Sequence, residues 1–465
     1  MMAKTLLRNA RAIVSCDERD RVYEHCDLLI EGQKILEIAP HISCESAQVI
    51  DATGKLIYPG LVNTHHHFFQ TFIRNLTTID YPNMTVLEWL DVFFQAVRYV
   101  DSDVMYYSAL TAMADLVKHG CTTAFDHQYC FNARTGKASI DRQMEAAQQI
   151  GIRYHAGRAT NTRPMSDGSP IPDDIREDTE TFISHTRALI EKYHDASPFS
   201  MRQIVIAPCQ PMNCAADCFT ASVALAKETG CRLHTHLGEG ENEFMQARYG
   251  MRTLEWCRRL GFLGENVWFA HCWELTSEEY KMIGDYGAGV SHCPAPAILS
   301  GFPILPMKQM LRDGVCLSLG CDGSATNDSS NLLDSIRTAY YMQCYFGKER
   351  GGAVTAYDIL KIATAGGAKT LGRSDLGSLA PGKAADLFLI DGTTLELVGA
   401  THDPKNLIGR VGLTGNVAMT MIGGKVVFDG VKLTGIDERR LAIEADRAHE
   451  KALRSQCPAF QKAGD

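Results

Sequence analysis

Apolar and polar positions change rhythm twice along the chain. Up to about residue 58 the apolar residues come in short clusters or alternate. Segments 28–31 and 34–38 flank a turn-like Gly32-Gln33, as the strands of a hairpin do. The same texture returns near the end, in segment 385–390 after Pro381-Gly382 and in two short runs of 418–428 around Gly423-Gly424. Between these ends, apolar runs alternate with longer amphipathic segments. The candidate strands are 55–63, 122–127, 151–158, 203–207, 231–236, 266–271, 289–292 and 315–321. Segments such as 101–119, 178–194, 215–229, 277–286 and 331–345 have the spacing of helices.

Eight strands interleaved with helices predict an α/β chain folded as a (β/α)8 TIM-like barrel. A doubly wound open sheet gives a similar pattern and stays open at this point. The strand-rich ends then form a small β-sandwich built from both termini. The expected divisions are 1–58 and 378–436 for that sandwich, 59–377 for the barrel, and 437–465 for a helical tail.

Composition narrows the function. The chain has 465 residues, 46 basic against 55 acidic, for a net charge of −9, which argues against a nucleic-acid binder. No run approaches the ~20 apolar residues of a membrane span. Arg8 and Arg11 interrupt any secretory apolar stretch, so a cytoplasmic location is expected. Sixteen cysteines are scattered without a CxxC pair, as reduced buried thiols would be. Cys209, Cys214 and Cys218 lie closest together, but their spacing fits no common structural zinc site.

Polar residues gather where the expected strands end, which is where a barrel builds its active site. The first strand ends in Asn63-Thr64-His65-His66-His67. In extended backbone His65 and His67 face one side together, while His66 faces the other. A His-x-His pair alone is equally compatible with ordinary core or surface histidines. Later strands end in His234-Thr235-His236-Leu237-Gly238-Glu239, Ala270-His271 and Cys321-Asp322-Gly323. Four such endings converging on one rim suit a borderline divalent cation held by imidazole and carboxylate. Spacing alone leaves His234 and His236 as equal candidates, since they share a face. The chain lacks an HExxH helix, a GxSxG elbow, a Walker loop and a complete GxGxxG motif.

These residues resemble the amidohydrolase superfamily, in its subgroup of mononuclear-metal aminohydrolases. The resemblance runs nearly end to end, through Pro59-Gly60-Leu61-Val62-Asn63-Thr64-His65-His66-His67, His236-Leu237-Gly238-Glu239, Asp322-Gly323-Ser324 and Leu379-Ala380-Pro381-Gly382-Lys383. Within the subgroup the chain most resembles the 8-oxoguanine deaminases, with s-triazine hydrolases and pterin deaminases close by. The resemblance implies one divalent metal ion, zinc or alternatively iron, held by His65, His67, His236 and Asp322. It implies Glu239 as the proton shuttle to a ring nitrogen and His271 as the group orienting the attacking water. Asp322 would also take that water's proton. A homo-oligomer is expected by the same analogy.

The expected reaction is hydrolytic deamination of an amino-substituted heterocycle, 8-oxoguanine or a related oxopurine, with release of ammonia. The alternatives are an s-triazine hydrolase displacing chloride, alkylthio or alkylamine, a pterin deaminase, and an inactive metal-binding relative. For the substrate, Gln70 offers a donor and an acceptor, and Trp89 a flat face for stacking. His127 and Arg158 end the second and third strands, and Arg158 suits a carbonyl or enolate oxygen. Gln128, Cys209 and Gln210 are secondary pocket candidates, whereas Tyr340 and Tyr341 fit helix packing. The seventh strand ends His292-Cys293-Pro294-Ala295-Pro296-Ala297, where relatives often carry Ser-Ser-Asn after the proline, a departure that bears on the pocket wall.

Overall fold

Central strands that are apolar on both faces need cover on both, which a parallel sheet wrapped by helices provides. A computed structural model describes residues 3–76, 79, 83–347 and 354–460. The chain opens with β1 (Lys4–Val14), β2 (Val22–Glu31), β3 (Lys34–Ala39), β4 (Ala47–Asp51) and β5 (Lys55–Pro59). The middle supplies β6 (Leu61–Asn63), β7 (Cys121–Gln128), β8 (Arg153–Thr160), β9 (Arg202–Pro208), β10 (Leu233–Leu237), β11 (Val267–His271), β12 (Gly289–His292) and β13 (Cys316–Leu319). The end adds β14 (Leu387–Asp391), β15 (Met419–Ile422) and β16 (Lys425–Phe428).

Strands β6 to β13 lie in sequence order and pair in parallel throughout. The last strand reaches back to the first, where Thr64 N donates to Leu319 O at 3.0 Å and Asp322 N to His65 O at 3.0 Å. That closure makes the sheet a barrel and sets His65 beside Asp322, some 257 residues apart by subtraction. Helices Ser102–Lys118, Ser139–Ile150, Thr179–Tyr193, Ala216–Thr229 and Ser277–Asp285 follow successive strands. Their starts are set locally: Asp101 and Asp178 accept first-turn amides, and Thr276 with Glu279 forms a capping box.

The terminal strands form one continuous mixed sheet, ordered β16-β15-β14-β5-β1-β2-β3 with β4 beside β1. Its own core includes Leu7, Ile13, Leu28, Ile57, Leu387 and Met421. The apolar run 55–63 reads as one strand in the sequence but serves both sheets. β5 pairs with β1 and β14, and after Gly60 the chain passes to β7 of the barrel. Gly60 N donates to Asp386 O at 3.0 Å and Leu61 N to Gly120 O at 2.9 Å, which fixes the change of partner. Below the barrel, Arg153 joins the two sheets. It grips Asp386 with Nε at 2.6 Å and Nη2 at 2.9 Å and donates to Phe199 O at 2.6 Å. The helix Glu438–His449 packs on the barrel's first long helix, with Lys118 paired to Glu438. Among the described residues no helix is long and apolar enough to cross a membrane.

Candidate metal centre and cleft

Each rim histidine is locked by what its far nitrogen touches. His67 Nδ1 lies 2.8 Å from His127 O, and His236 Nδ1 lies 2.7 Å from Cys209 O. A carbonyl only accepts, so both Nδ1 atoms carry the proton and both Nε2 atoms are bare acceptors. His234 Nδ1 faces Trp268 O at 3.0 Å, which leaves its Nε2 to accept from His65 Nδ1 at 3.0 Å. His65 Nε2 is therefore bare as well, and it is buried without a hydrogen-bond partner. This relay also separates the two candidates of β10: His234 sits behind His65 and orients it, while His236 joins the cluster.

The bare atoms converge. His236 Nε2 lies 3.2 Å from His67 Nε2, and Asp322 Oδ1 lies 3.2 Å from His67 Nε2 and 3.4 Å from His65 Nε2. Three imine nitrogens and a carboxylate face one another with no hydrogen to share. Protonation is opposed, because burial and the neighbouring imidazoles push His65 and His236 well below the ordinary histidine value. Donors about 2.0–2.1 Å from a four-coordinate zinc stand roughly 3.3 Å apart, so the observed spacings fit such an ion. The donor set and its orphaned lone pairs thus fit a single divalent cation.

Beside this cluster sit two further groups. His271 stacks on His236, with centroids 5.2 Å apart and planes at 8°, and its Nε2 lies 3.4 Å from Glu239 Oε1. Burial drives His271 down to about 4, so its ring is neutral at pH 7. Burial, followed by the charges of Asp322, Glu241 and Glu274, raises Glu239 well above the ordinary carboxylate value. Asp322 is held well below its usual carboxylate value, although its burial works the other way. His271 and Asp322 also share a rare backbone state, with φ of 73° and 64°. Left-handed backbone at non-glycine residues is a strain that the surrounding structure must enforce.

Above the cluster opens a cleft of about 480 Å³ lined by His67, His236, Glu239 and Asp322 together with Gln70 and Trp89. Trp89 stacks on Phe93 at 4.7 Å and donates from Nε1 to Ala325 O at 3.2 Å, leaving it partly open to the cleft. Gln70 lines the cleft, and each end of its amide makes one hydrogen bond to the protein. Nε2 donates to Tyr129 Oη at 3.0 Å, and Oε1 accepts from Ala325 N at 3.2 Å. Cys209 and Gln210 also line the wall.

Other expected contacts lie elsewhere. His127 is below the cleft, 4.7 Å from the His236 ring, with Nε2 on Ala207 O at 3.0 Å. It belongs with the imidazole cluster rather than with a substrate wall. Arg158 does not reach the cleft. A Cβ on Gly157 would meet the Phe125 ring at 2.7 Å, so residue 157 faces the barrel interior and Arg158 faces the helices. There its guanidinium bonds Glu177 at 2.8 Å and His185 at 3.1 Å and lies over the Phe131 ring. Gln128 likewise turns outward, toward Met105 and Cys130. Tyr340 and Tyr341 are on the helix Leu332–Gly347, with Tyr341 half exposed.

Three contributors escaped the sequence reading. Tyr129 follows His127 by two residues, and that interval at a strand end was the available signal. Glu241 accepts from Gly238 N at 2.5 Å and Glu239 N at 2.7 Å, shaping the loop that presents Glu239. Trp273 packs on His271 at 4.3 Å. Neither of the last two has a sequence signal beyond proximity to a candidate.

Comparison with known proteins places this geometry. The pattern of the Amidohydrolase family matches residues 56–427. The chain is 43% identical over 463 residues to hydroxydechloroatrazine ethylaminohydrolase of Pseudomonas sp. (strain ADP), covering 97% of this chain and 96% of that one. It is 34% identical to 8-oxoguanine deaminase of Pseudomonas aeruginosa, covering 97% and 99%. Its structure resembles that of atrazine chlorohydrolase TrzN from Arthrobacter aurescens TC1 complexed with zinc, with a TM-score of 0.91. That pair shares 28% identity over 96% of this chain and 100% of the other.

Proposed function

The chain belongs to the amidohydrolase family and is a hydrolase of C–N bonds in cyclic amidines, and from that premise we propose an alkylamino-substituted nitrogen heterocycle of the s-triazine kind as its substrate. The products are the free amine and the hydroxylated ring. This reading replaces the expected oxopurine, because the likeness to the triazine ethylaminohydrolase is the greater one.

The wall of the cleft carries the proposal. Its apolar side holds Trp89, Leu90, Phe94, Ile171, Met212 and Phe244. Among the described residues that line it, none is a lysine or arginine. An oxopurine enolate would want a cation there, and Arg158, the expected one, is committed to Glu177. A neutral ring bearing alkyl groups suits the same wall without any unpaired charge.

We assign Zn²⁺ as the cation, held by His65, His67, His236 and Asp322. When bound there, it supplies a Lewis acid that makes water a nucleophile near neutral pH. Asp322, kept ionised, accepts a proton from the attacking water. His271 presents its neutral ring beside the site of attack and holds the incoming oxygen by hydrogen bond. Glu239, whose burial favours the protonated form, delivers its proton to the ring nitrogen next to the reacting carbon as the C–O bond forms. A second proton passes to the exocyclic nitrogen, the C–N bond breaks, and the amine leaves.

The test is a product assay of the metal-loaded protein against ethylamino- and isopropylamino-s-triazines, 8-oxoguanine and isoxanthopterin. Release of alkylamine from the triazines is expected. Ammonia from 8-oxoguanine alone would overturn the proposal.

A further inference from the structure

The cleft wall holds a hydroxyl, that of Tyr129, which neither the proposed reaction nor the metal cluster uses. We propose that the Tyr129 hydroxyl donates the hydrogen bond that sets the heterocycle's register in the cleft, and that Gln70 aims it. This rests on the reading of the site as one for a nitrogen heterocycle.

Gln70 Oε1 accepts from Ala325 N at 3.2 Å, which fixes the amide's orientation, so its Nε2 must be the donor toward Tyr129 Oη at 3.0 Å. One lone pair of the phenol oxygen is thereby spent, while its own proton finds no acceptor among the described residues. The ring cannot swing to find one. It is 8% exposed, meets His67 edge-on at 4.9 Å and Phe69 edge-on at 5.2 Å. Tyr129 lines the cleft together with Glu239 and Asp322.

The Gln70 amide is itself seated in a fitted place. A Cβ on Gly323 would stand 1.8 Å from Gln70 Oε1, so the glycine beside Asp322 leaves room for the amide. A heterocycle offers what the phenol lacks, a ring nitrogen with an in-plane lone pair. Donation from Tyr129 at one nitrogen and from Glu239 at another would hold the ring by two points and present one carbon for attack. Gln70 spends one N–H on Tyr129 and accepts from Ala325 N with its oxygen, so its shown bonds make it a positioning residue.

The experiment is a double-mutant cycle of Tyr129→Phe and Gln70→Leu, read as kcat and KM on the best substrate of the heterocycle panel. Metal content and Tm are followed in parallel. Tyr129→Phe is expected to lower kcat/KM about ten-fold, the worth of one hydrogen bond, with metal stoichiometry unchanged. Gln70→Leu should cost several-fold in the parent and almost nothing in the Tyr129→Phe background. A substrate with that ring nitrogen replaced by CH should lose its penalty in Tyr129→Phe. Equal, additive losses, or an unchanged kcat/KM in Tyr129→Phe, would overturn the inference. If no panel member is turned over, the proposed function fails. The cycle is then read from calorimetric binding of hydroxylated and alkylamino triazines, with the same non-additivity expected and its absence equally decisive.

Discussion

Two buried polar networks sit at opposite ends of the barrel, and they are built to opposite rules. Below, Arg153 meets both oxygens of Asp386, which also accepts Gly423 N at 2.7 Å, and the guanidinium's remaining edge goes to Phe199 O. Nearby Arg373 grips Asp375 with two bonds of 2.9 and 2.8 Å and donates to Ser200 O at 3.1 Å. There each guanidinium meets a carboxylate and a carbonyl that accept from it. Above, at the strands' carboxyl ends, His65, His67 and His236 each spend their only proton on a backing group and leave three lone pairs in one cluster, those of His65 and His67 beside Asp322. The lower network is complete within the chain and ties the two sheets together. The upper one is complete only with a cation. Both are buried, so the balance of donors against acceptors is what separates a structural clasp from a reactive centre.

The sharpest way to break that contrast is to remove one ligand from each network. His67→Ala or His236→Ala should lose the bound metal and at least ~10³-fold in kcat/KM, while Tm measured against the metal-free parent changes little. Glu239→Gln should keep the full metal content yet lose about 10²–10⁴-fold in kcat, since it removes only a proton donor. Arg153→Ala does the reverse. It strands Asp386 in a buried place and should cost about 3–5 kcal/mol in denaturant unfolding, with metal stoichiometry of the folded protein unchanged. His234→Phe lies between the two classes: it frees the His65 ring to rotate and should weaken metal affinity about 10- to 100-fold by competition with a chelator.

The smallest effect is expected from acid. Burial raises Asp375, but the Arg373 hydrogen bonds and charge overcome this, and its pKa falls to about 2. A carboxyl depressed in the folded state stabilises it above the unfolded value near ~4 and loses that contribution as pH falls toward 2. Asp375→Asn should therefore flatten the decline in stability between about pH 4 and pH 2, by roughly 2 kcal/mol at most. An unchanged acid limb would remove Asp375 from the lower clasp.

Much of the fold was legible because strand and helix rhythms survive in the sequence. Segment 289–292 matches β12 residue for residue, and the ends of β10, β11 and β13 carry the polar groups expected of them. The run 55–63 reads as one candidate strand, yet it is two, β5 and β6, which part at Pro59-Gly60 beside the expected division at 58/59. The converging histidines were readable from two-residue spacing. The direction of Arg158 was not, because it depends on which neighbour faces the barrel interior, and only the crowding at Gly157 decides that. Gln70 showed the same limit in another form. Its residue type advertises a donor and an acceptor, but whether either is free depends on Tyr129 and Ala325, which are remote in sequence.

The central claim is that one divalent cation completes the upper network, and metal analysis of the purified chain tests it most directly. Protein stripped by chelation and dialysed, then titrated with Zn²⁺, should regain hydrolysis in step with occupancy and saturate at one ion per chain. Full activity in protein that holds almost no metal, or saturation at two ions, would contradict it.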